Sequence, residues 1–172
     1  MNTITNERIY IFIDFGNIHR EFLKLNFKAD YVKVKSILSE NKDLIKIILY
    51  MSVIHPIRPS IKGWLSRLER KHGIEVKYIY LKVLPSGKKI EKGVDVLLAV
   101  DMLYCAFKDK YDTAILVSGD ADFIPVIKKL LDLGKKVEIW GFKNSIALKL
   151  IDIVGNNNVN YIDEILGDIE KI

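Results

Sequence analysis

Residues 113–123 read Thr-Ala-Ile-Leu-Val-Ser-Gly-Asp-Ala-Asp-Phe, and the order of residue types in this stretch decides the fold. Thr113 to Ser118 is an apolar, β-branched run of strand length, Gly119 makes the following turn tight, and a helical pattern occupies Asp122 to Leu133. Gly134 stops that helix, and Lys136 to Gly141 forms the next strand. Toward the N-terminus the same alternation recurs. Ile9 to Asp14, Leu44 to Val53 and Glu75 to Leu84 read as strands. Helical patterns lie between them at Ile18 to Leu25, Tyr31 to Glu40 and Ser60 to His72, with a further one at Val94 to Phe107. Five near-continuous apolar strands alternating with helices predict an α/β fold whose mostly parallel sheet is covered on both faces.

The 172 residues, 49% of them apolar, suffice for a complete core, and no linker, repeat or low-complexity stretch divides them. One domain over 1–172 is expected, with its core at about 8–165. The single cysteine, Cys105, excludes an intrachain disulfide or a thiolate metal cluster and fits a reducing compartment. The first apolar run, Ile9 to Ile13, is too short for a signal-peptide core, and nothing approaches the roughly 20 apolar residues of a membrane span. A soluble, cytoplasmic protein with no membrane partner is expected.

In a parallel sheet the residues that follow the strands lie along one edge, where ligands bind at the reversal of strand order. Asp14 ends the first strand, Asp95 opens the helix after the third, and Asp120 and Asp122 follow the fourth. All four therefore fall on one edge. In Ile11-Phe-Ile-Asp14-Phe-Gly-Asn17, Asp14 reads as a ligand and Asn17 as its support, with Gly16 permitting a tight turn; a plain helix cap is the alternative for Asp14. Asp120 and Asp122, at a helix start, have the same alternative as cap and dipole complement. The helix from Val94 to Phe107 leaves no polar stripe and is expected to be buried all round; Asp101 within it reads as one half of a structural ion pair, or else as a supporting group for the cluster, as does Ser118.

Two carboxylates about 5 Å apart repel by around 3 kcal/mol at an effective dielectric near 20, so four converging ones require a positive occupant. Oxygen ligands without His or Cys suit Mg²⁺ or Mn²⁺ rather than zinc. His19, His55 and His72 show no ligand spacing and read as surface or packing residues.

At these residues the chain resembles the NYN domain, in the LabA-like branch of the PIN-like nuclease superfamily. The resemblance rests on Ile13-Asp14-Phe15-Gly16-Asn17, on Glu91-Lys92-Gly93-Val94-Asp95 with Asp101, and on Leu116 to Phe123 followed by Leu133-Gly134-Lys135-Lys136-Val137. It implies a Rossmann-like three-layer fold with strand order 3-2-1-4-5 and a pocket that binds Mg²⁺ or Mn²⁺ for phosphodiester hydrolysis, usually of RNA. By matching position, Asp14, Asp95, Asp120 and Asp122 would form the metal-binding catalytic set, with Asn17 assisting and Lys92 near a phosphate. The chain departs from the pattern at Leu150-Ile151-Asp152-Ile153, where the family often has an Ala-Asp pair.

The formal charge of +5 is unevenly spread. Residues 55–92 hold ten basic residues against three acidic ones, a net of +7, which leaves −2 for the rest. That segment suits a phosphate backbone, with Lys88, Lys89 and Lys92, and Arg67 and Arg70 on one helix face, as candidate contacts; a solvated surface is the plain alternative. The sequence thus predicts a metal-dependent ribonuclease acting on single-stranded RNA, with a non-catalytic RNA-binding or regulatory module that keeps the metal pocket as the alternative. A homodimer is compatible with either. A Toprim domain expects Glu at the first strand end, and an aspartyl phosphatase expects Asp-x-Asp there; Asp14-Phe15-Gly16 fits neither.

Overall fold

The computed structural model describes residues 7–90 and 92–171; Glu91, which opens the second motif, lies outside them. The elements in chain order are β1 (Arg8–Asp14), α1 (Phe15–Lys24), α2 (Tyr31–Leu38), β2 (Asp43–Val53), α3 (Pro59–His72), β3 (Glu75–Tyr80), β4 (Lys82–Val83), β5 (Lys89–Ile90) and α4 (Val94–Phe107). There follow β6 (Thr113–Val117), a 3₁₀ turn (Ala121–Phe123), α5 (Ile124–Asp132), β7 (Lys136–Gly141), α6 (Leu148–Val154), β8 (Val159–Tyr161) and α7 (Leu166–Ile169).

The main sheet has the order β3-β2-β1-β6-β7-β8, and every neighbouring pair is parallel. Its first five strands reproduce the expected 3-2-1-4-5 arrangement. The sixth, β8, corrects the expected count: Val159, Asn160 and Tyr161 pair with Ile139, Trp140 and Gly141. Strand order reverses between β1 and β6. Their central residues are buried on both sides because β1 alternates its side chains between two cores. Ile9, Ile11 and Ile13 pack with Ile18 and Phe22 of α1, Val34 and Leu38 of α2 and Leu65 and Leu68 of α3. Tyr10 and Phe12 pack with Leu98 and Met102 of α4, Ile127 and Leu130 of α5 and Leu150 of α6. These are the three layers of the fold, and the reversal leaves a crevice at the carboxyl ends of β1 and β6.

Four local expectations are corrected. Helix α1 begins at Phe15, directly after β1, so Gly16 sits in a helical turn and not in a loop. The strand expected to reach Leu84 ends at Tyr80: the Leu81 amide donates to the Val53 carbonyl, and Lys82–Val83 then turn away to pair antiparallel with Lys89–Ile90. Gly119 is required less by the turn than by packing, since a Cβ there would lie 2.8 Å from Ser145 O and Ile146 Cα. Helix α4 is not buried all round. Val94, Leu98, Met102 and Ala106 face the core, while Val96, Val100, Tyr104 and Phe107 form an exposed stripe on the other side. Among the described residues, no helix is long and apolar enough to cross a membrane.

Candidate functional site

The crevice is built by two loops tied to each other. Asp14, the last residue of β1, caps α1 by accepting the Asn17 amide at Oδ1 (3.2 Å). Its Oδ2 accepts the Ser118 hydroxyl at 2.9 Å. Ser118 is fully buried, and its Oγ in turn accepts the Asp120 amide at 3.2 Å. Asn17 reaches across the same gap, its Oδ1 accepting the Gly119 amide at 3.1 Å. Asp120 caps the 3₁₀ turn by accepting the Asp122 amide at 2.9 Å. Capping and site-building are therefore one arrangement: each cap fixes one carboxylate oxygen and turns the group toward the crevice.

The third loop brings Asp95. Gly93, with φ +95°, precedes α4, and Asp95 stands in the first helical turn, where the macrodipole favours a carboxylate. One carboxylate oxygen from each of Asp95, Asp120 and Asp122 lies within 4.8 Å of the other two. Asp14, Asp95 and Asp120 line one cavity of about 410 Å³, together with Asn17, His19 and Arg20. Asp14 is the deepest of the set, only 5% exposed. Burial pushes its pKa up to about 6, the Ser118 and Asn17 hydrogen bonds oppose that rise, and the charges of Asp95 and Asp120 add to it. Among the described residues, Asp14, Asp120 and Asp122 form no ion pair with a cation.

The donor set fits a hard divalent cation: carboxylate oxygens gathered over a short span, with neither Cys nor His in the cluster. The chemistry such an arrangement allows is to bind a metal and a phosphate at a sheet edge.

The remaining sequence candidates divide. Asp101 accepts the Tyr50 hydroxyl at 2.8 Å and the Lys77 ammonium at 2.7 Å, so it forms the structural ion pair across α4 and β3. Lys89 lines a second cavity that adjoins the acidic one. Lys88 and Lys92 are exposed beside it in sequence, and neither lines the acidic cavity. Arg67 and Arg70 are exposed on α3; Arg67 lines a separate hollow with Tyr31, Trp64 and His72. The sequence reading took His19 for a surface or packing residue and passed over Arg20. Taking Phe15 as the helix start places His19 one turn above Phe15 and Arg20 one turn above Gly16, whose carbonyl accepts the Arg20 Nε–H at 3.1 Å. That start was the signal that would have found them.

Residues 8–156 match the family described as the NYN domain. A curated relative, an uncharacterized protein of Methanocaldococcus jannaschii, is 30% identical over 147 residues; the alignment covers 85% of this chain and 52% of the relative, so the chain spans about half of that protein's length. A crystal structure of a protein of unknown function from Vibrio parahaemolyticus superposes with a TM-score of 0.76 at 24% identity, covering 96% of this chain and 97% of the other, which shows the shared fold.

Proposed function

The chain belongs to the NYN domain family, within the PIN-like nuclease superfamily, and from that premise we propose that its acidic crevice hydrolyses phosphodiester bonds of single-stranded RNA with Mg²⁺ or Mn²⁺. The observation that carries the reading is the approach of Asp95, Asp120 and Asp122 to within 4.8 Å beside the buried Asp14, with no cation of the described chain paired to Asp14, Asp120 or Asp122. Asp14, Asp95, Asp120 and Asp122 would hold the metal. When bound, such an ion supplies positive charge for the phosphate oxygens and lowers the pKa of a coordinated water.

The chain's own groups have positioning tasks. Ser118 holds Asp14 on one side and the Asp120 backbone on the other, so both carboxylates keep one geometry. Asn17 clamps the Gly119 amide and fixes the spacing between the β1 and β6 loops. Arg20, at the cavity wall, would meet a non-bridging phosphate oxygen through the guanidinium nitrogens that its bond to the Gly16 carbonyl leaves over. Lys88, Lys89 and Lys92 would track the backbone of the strand beyond the crevice. RNA is preferred to DNA on the family resemblance.

The test is incubation of the purified protein with labelled single-stranded RNA, duplex RNA and single-stranded DNA, each with Mn²⁺, Mg²⁺ or EDTA. The expected result is metal-dependent cleavage of single-stranded RNA that EDTA abolishes. Tight RNA binding without cleavage under any metal would instead establish the non-catalytic module.

A further inference from the structure

A second cavity of about 790 Å³ opens beside the acidic one and shares Phe15, His19, Ser52 and Leu81 with it. Its character is different. Phe15, His19 and Trp64 form an aromatic ledge: the Phe15 and His19 rings stack with centroids 4.7 Å apart at 16°, and Trp64 meets Phe15 at 5.8 Å. Ile61 extends the apolar wall, and Arg58 and Lys89 supply positive charge. Burial depresses the His19 pKa, which favours the neutral imidazole.

We propose that this cavity takes an unpaired nucleobase of the strand whose phosphate lies at the aspartates, stacking it on the ledge of Phe15, His19 and Trp64 while Arg58 and Lys89 hold the neighbouring phosphates. The proposal rests on the phosphodiesterase reading for its orientation and deepens it, since it makes the fold select single strands. Three features favour a base over another occupant. The two cavities adjoin and share four lining residues, so neighbouring nucleotides of one strand can reach both. Planar rings beside guanidinium and ammonium groups match the alternation of base and phosphate. The volume lies within the roughly 300–1,000 Å³ range of cavities that take ligand-sized groups. A paired base remains in its stack and cannot reach such a ledge, which gives discrimination against duplex.

The experiment is equilibrium binding in EDTA, where no cleavage occurs, so its outcome is independent of whether the protein is a nuclease. The probes are an eight-nucleotide oligo(A), a blunt GC-rich RNA duplex that stays paired without Mg²⁺, and an abasic ribose-phosphate chain of the same length and charge as the oligo(A). Oligo(A) is expected to bind at least tenfold more tightly than the abasic chain or the duplex at fixed salt, and to change Trp64 emission, read in a Trp140→Phe background. One stacking contact is worth about 1–3 kcal/mol, or roughly 5- to 150-fold. His19→Ala and the milder Phe15→Leu are each expected to weaken oligo(A) at least fivefold while leaving the abasic chain unchanged. Equal affinity for oligo(A) and the abasic chain, or wild-type oligo(A) affinity in both variants, overturns the proposal. Failure of cleavage in Mn²⁺ with base-dependent binding intact would overturn the nuclease reading and leave this one standing.

Discussion

The two ends of the central strands carry carboxylates in comparable number and treat them oppositely. At the amino ends of β1 and β6, Asp112 accepts the Arg8 guanidinium at 2.7 and 3.2 Å and the Arg8 amide at 2.9 Å. Asp109 receives Arg8 at 3.2 Å and Lys135 at 2.6 Å, and Glu7 receives Lys136 at 2.8 Å. At the carboxyl ends, Asp14 and Asp120 are held by hydroxyl and amide donors, and no lysine or arginine of the described residues pairs with them. The consequence appears in the acidities. The Arg8 hydrogen bonds hold Asp112 near a pKa of about 2, while burial raises Asp14 to about 6. Among the described residues, each carboxylate named at the first pole is paired with a cation, while Asp14 and Asp120 at the other form no ion pair. Evolution of a stable fold alone would favour the first arrangement at both ends.

The largest expected separation between the poles is in activity. Asp120→Asn is expected to reduce metal-dependent cleavage on the order of 100-fold or more, since even a residue that only supports a metal ligand costs about 10- to 100-fold. Asp112→Asn is expected to leave the rate unchanged. Single-turnover rates in Mn²⁺ decide it, and equal losses in the two variants would mean that the two poles do not differ in function.

Ser118→Ala tests the joint between the β1 and β6 loops. It removes the donor to Asp14 and the acceptor for the Asp120 amide together. Cleavage is expected to fall about 10- to 100-fold, with a stability loss of roughly 1–3 kcal/mol from the buried Asp14 oxygen and the part-buried Asp120 amide left without this partner. Ser118→Thr, which keeps the hydroxyl, is expected to recover part of the rate. A normal rate in Ser118→Ala would mean that the carboxylates position themselves.

This joint also marks how far the sequence could be read. The positions of Asp14, Asp120 and Asp122 were legible because they stand at or just after strand ends, which local apolar runs set, and that of Asp95 because it opens an apolar helix. The bond from Ser118 to Asp14 spans 104 residues and belongs to the register between β1 and β6, which local patterning does not encode. β8 escaped notice because three residues that follow a run of asparagines carry no periodic signal. For α4 the composition was apolar on every side, so it could not distinguish the face that meets β1 and β2 from the stripe of Val96, Val100, Tyr104 and Phe107 that the sheet never reaches. Asp101 was readable as a paired group, because a lone carboxylate in such a helix needs a partner, but Lys77 and Tyr50 as its partners come only from the fold.

A smaller effect is expected on stability in the absence of metal, and it has opposite sign at the two poles. Asp14 has a folded pKa of about 6 against an ordinary 3.8, so the folded state holds a proton more tightly than the unfolded state does. Its contribution is therefore fully favourable below about pH 4 and is lost as pH rises through 6. The penalty above that is about 2–3 kcal/mol at most. Asp14→Asn retains an oxygen for the Asn17 amide and is expected to be more stable than the parent in EDTA at pH 8, and no more stable at pH 4. Metal at tenfold excess over its dissociation constant is expected to return about 1.4 kcal/mol to the parent and little to the variant. A variant less stable than the parent at pH 8 would show that Asp14 serves α1 as a cap and nothing more.

The smallest expected effect belongs to the neutralised pole. Asp112 is depressed from 3.8 to about 2, chiefly by the side-chain and backbone hydrogen bonds from Arg8. A depressed carboxylate stabilises the folded state above its ordinary pKa, and that contribution disappears as pH falls through about 2. The Asp112 side chain is 42% exposed, so solvent and salt screen the pair, and its worth is about 1 kcal/mol or less. Asp112→Asn, which can still accept the Arg8 amide, is thus expected to melt about 2–4 °C below the parent at pH 7. It is expected to match the parent near pH 2 and to approach it at 1 M salt, where charges are screened over about 3 Å. The same salt jump is expected to raise the melting temperature of the metal-free parent relative to Asp14→Asn, because screening there relieves repulsion from Asp95 and Asp120 instead of weakening an attraction. Salt responses of the same sign at both ends would mean that the carboxyl-end aspartates are compensated within the chain after all, and the reason to expect a metal there would be gone.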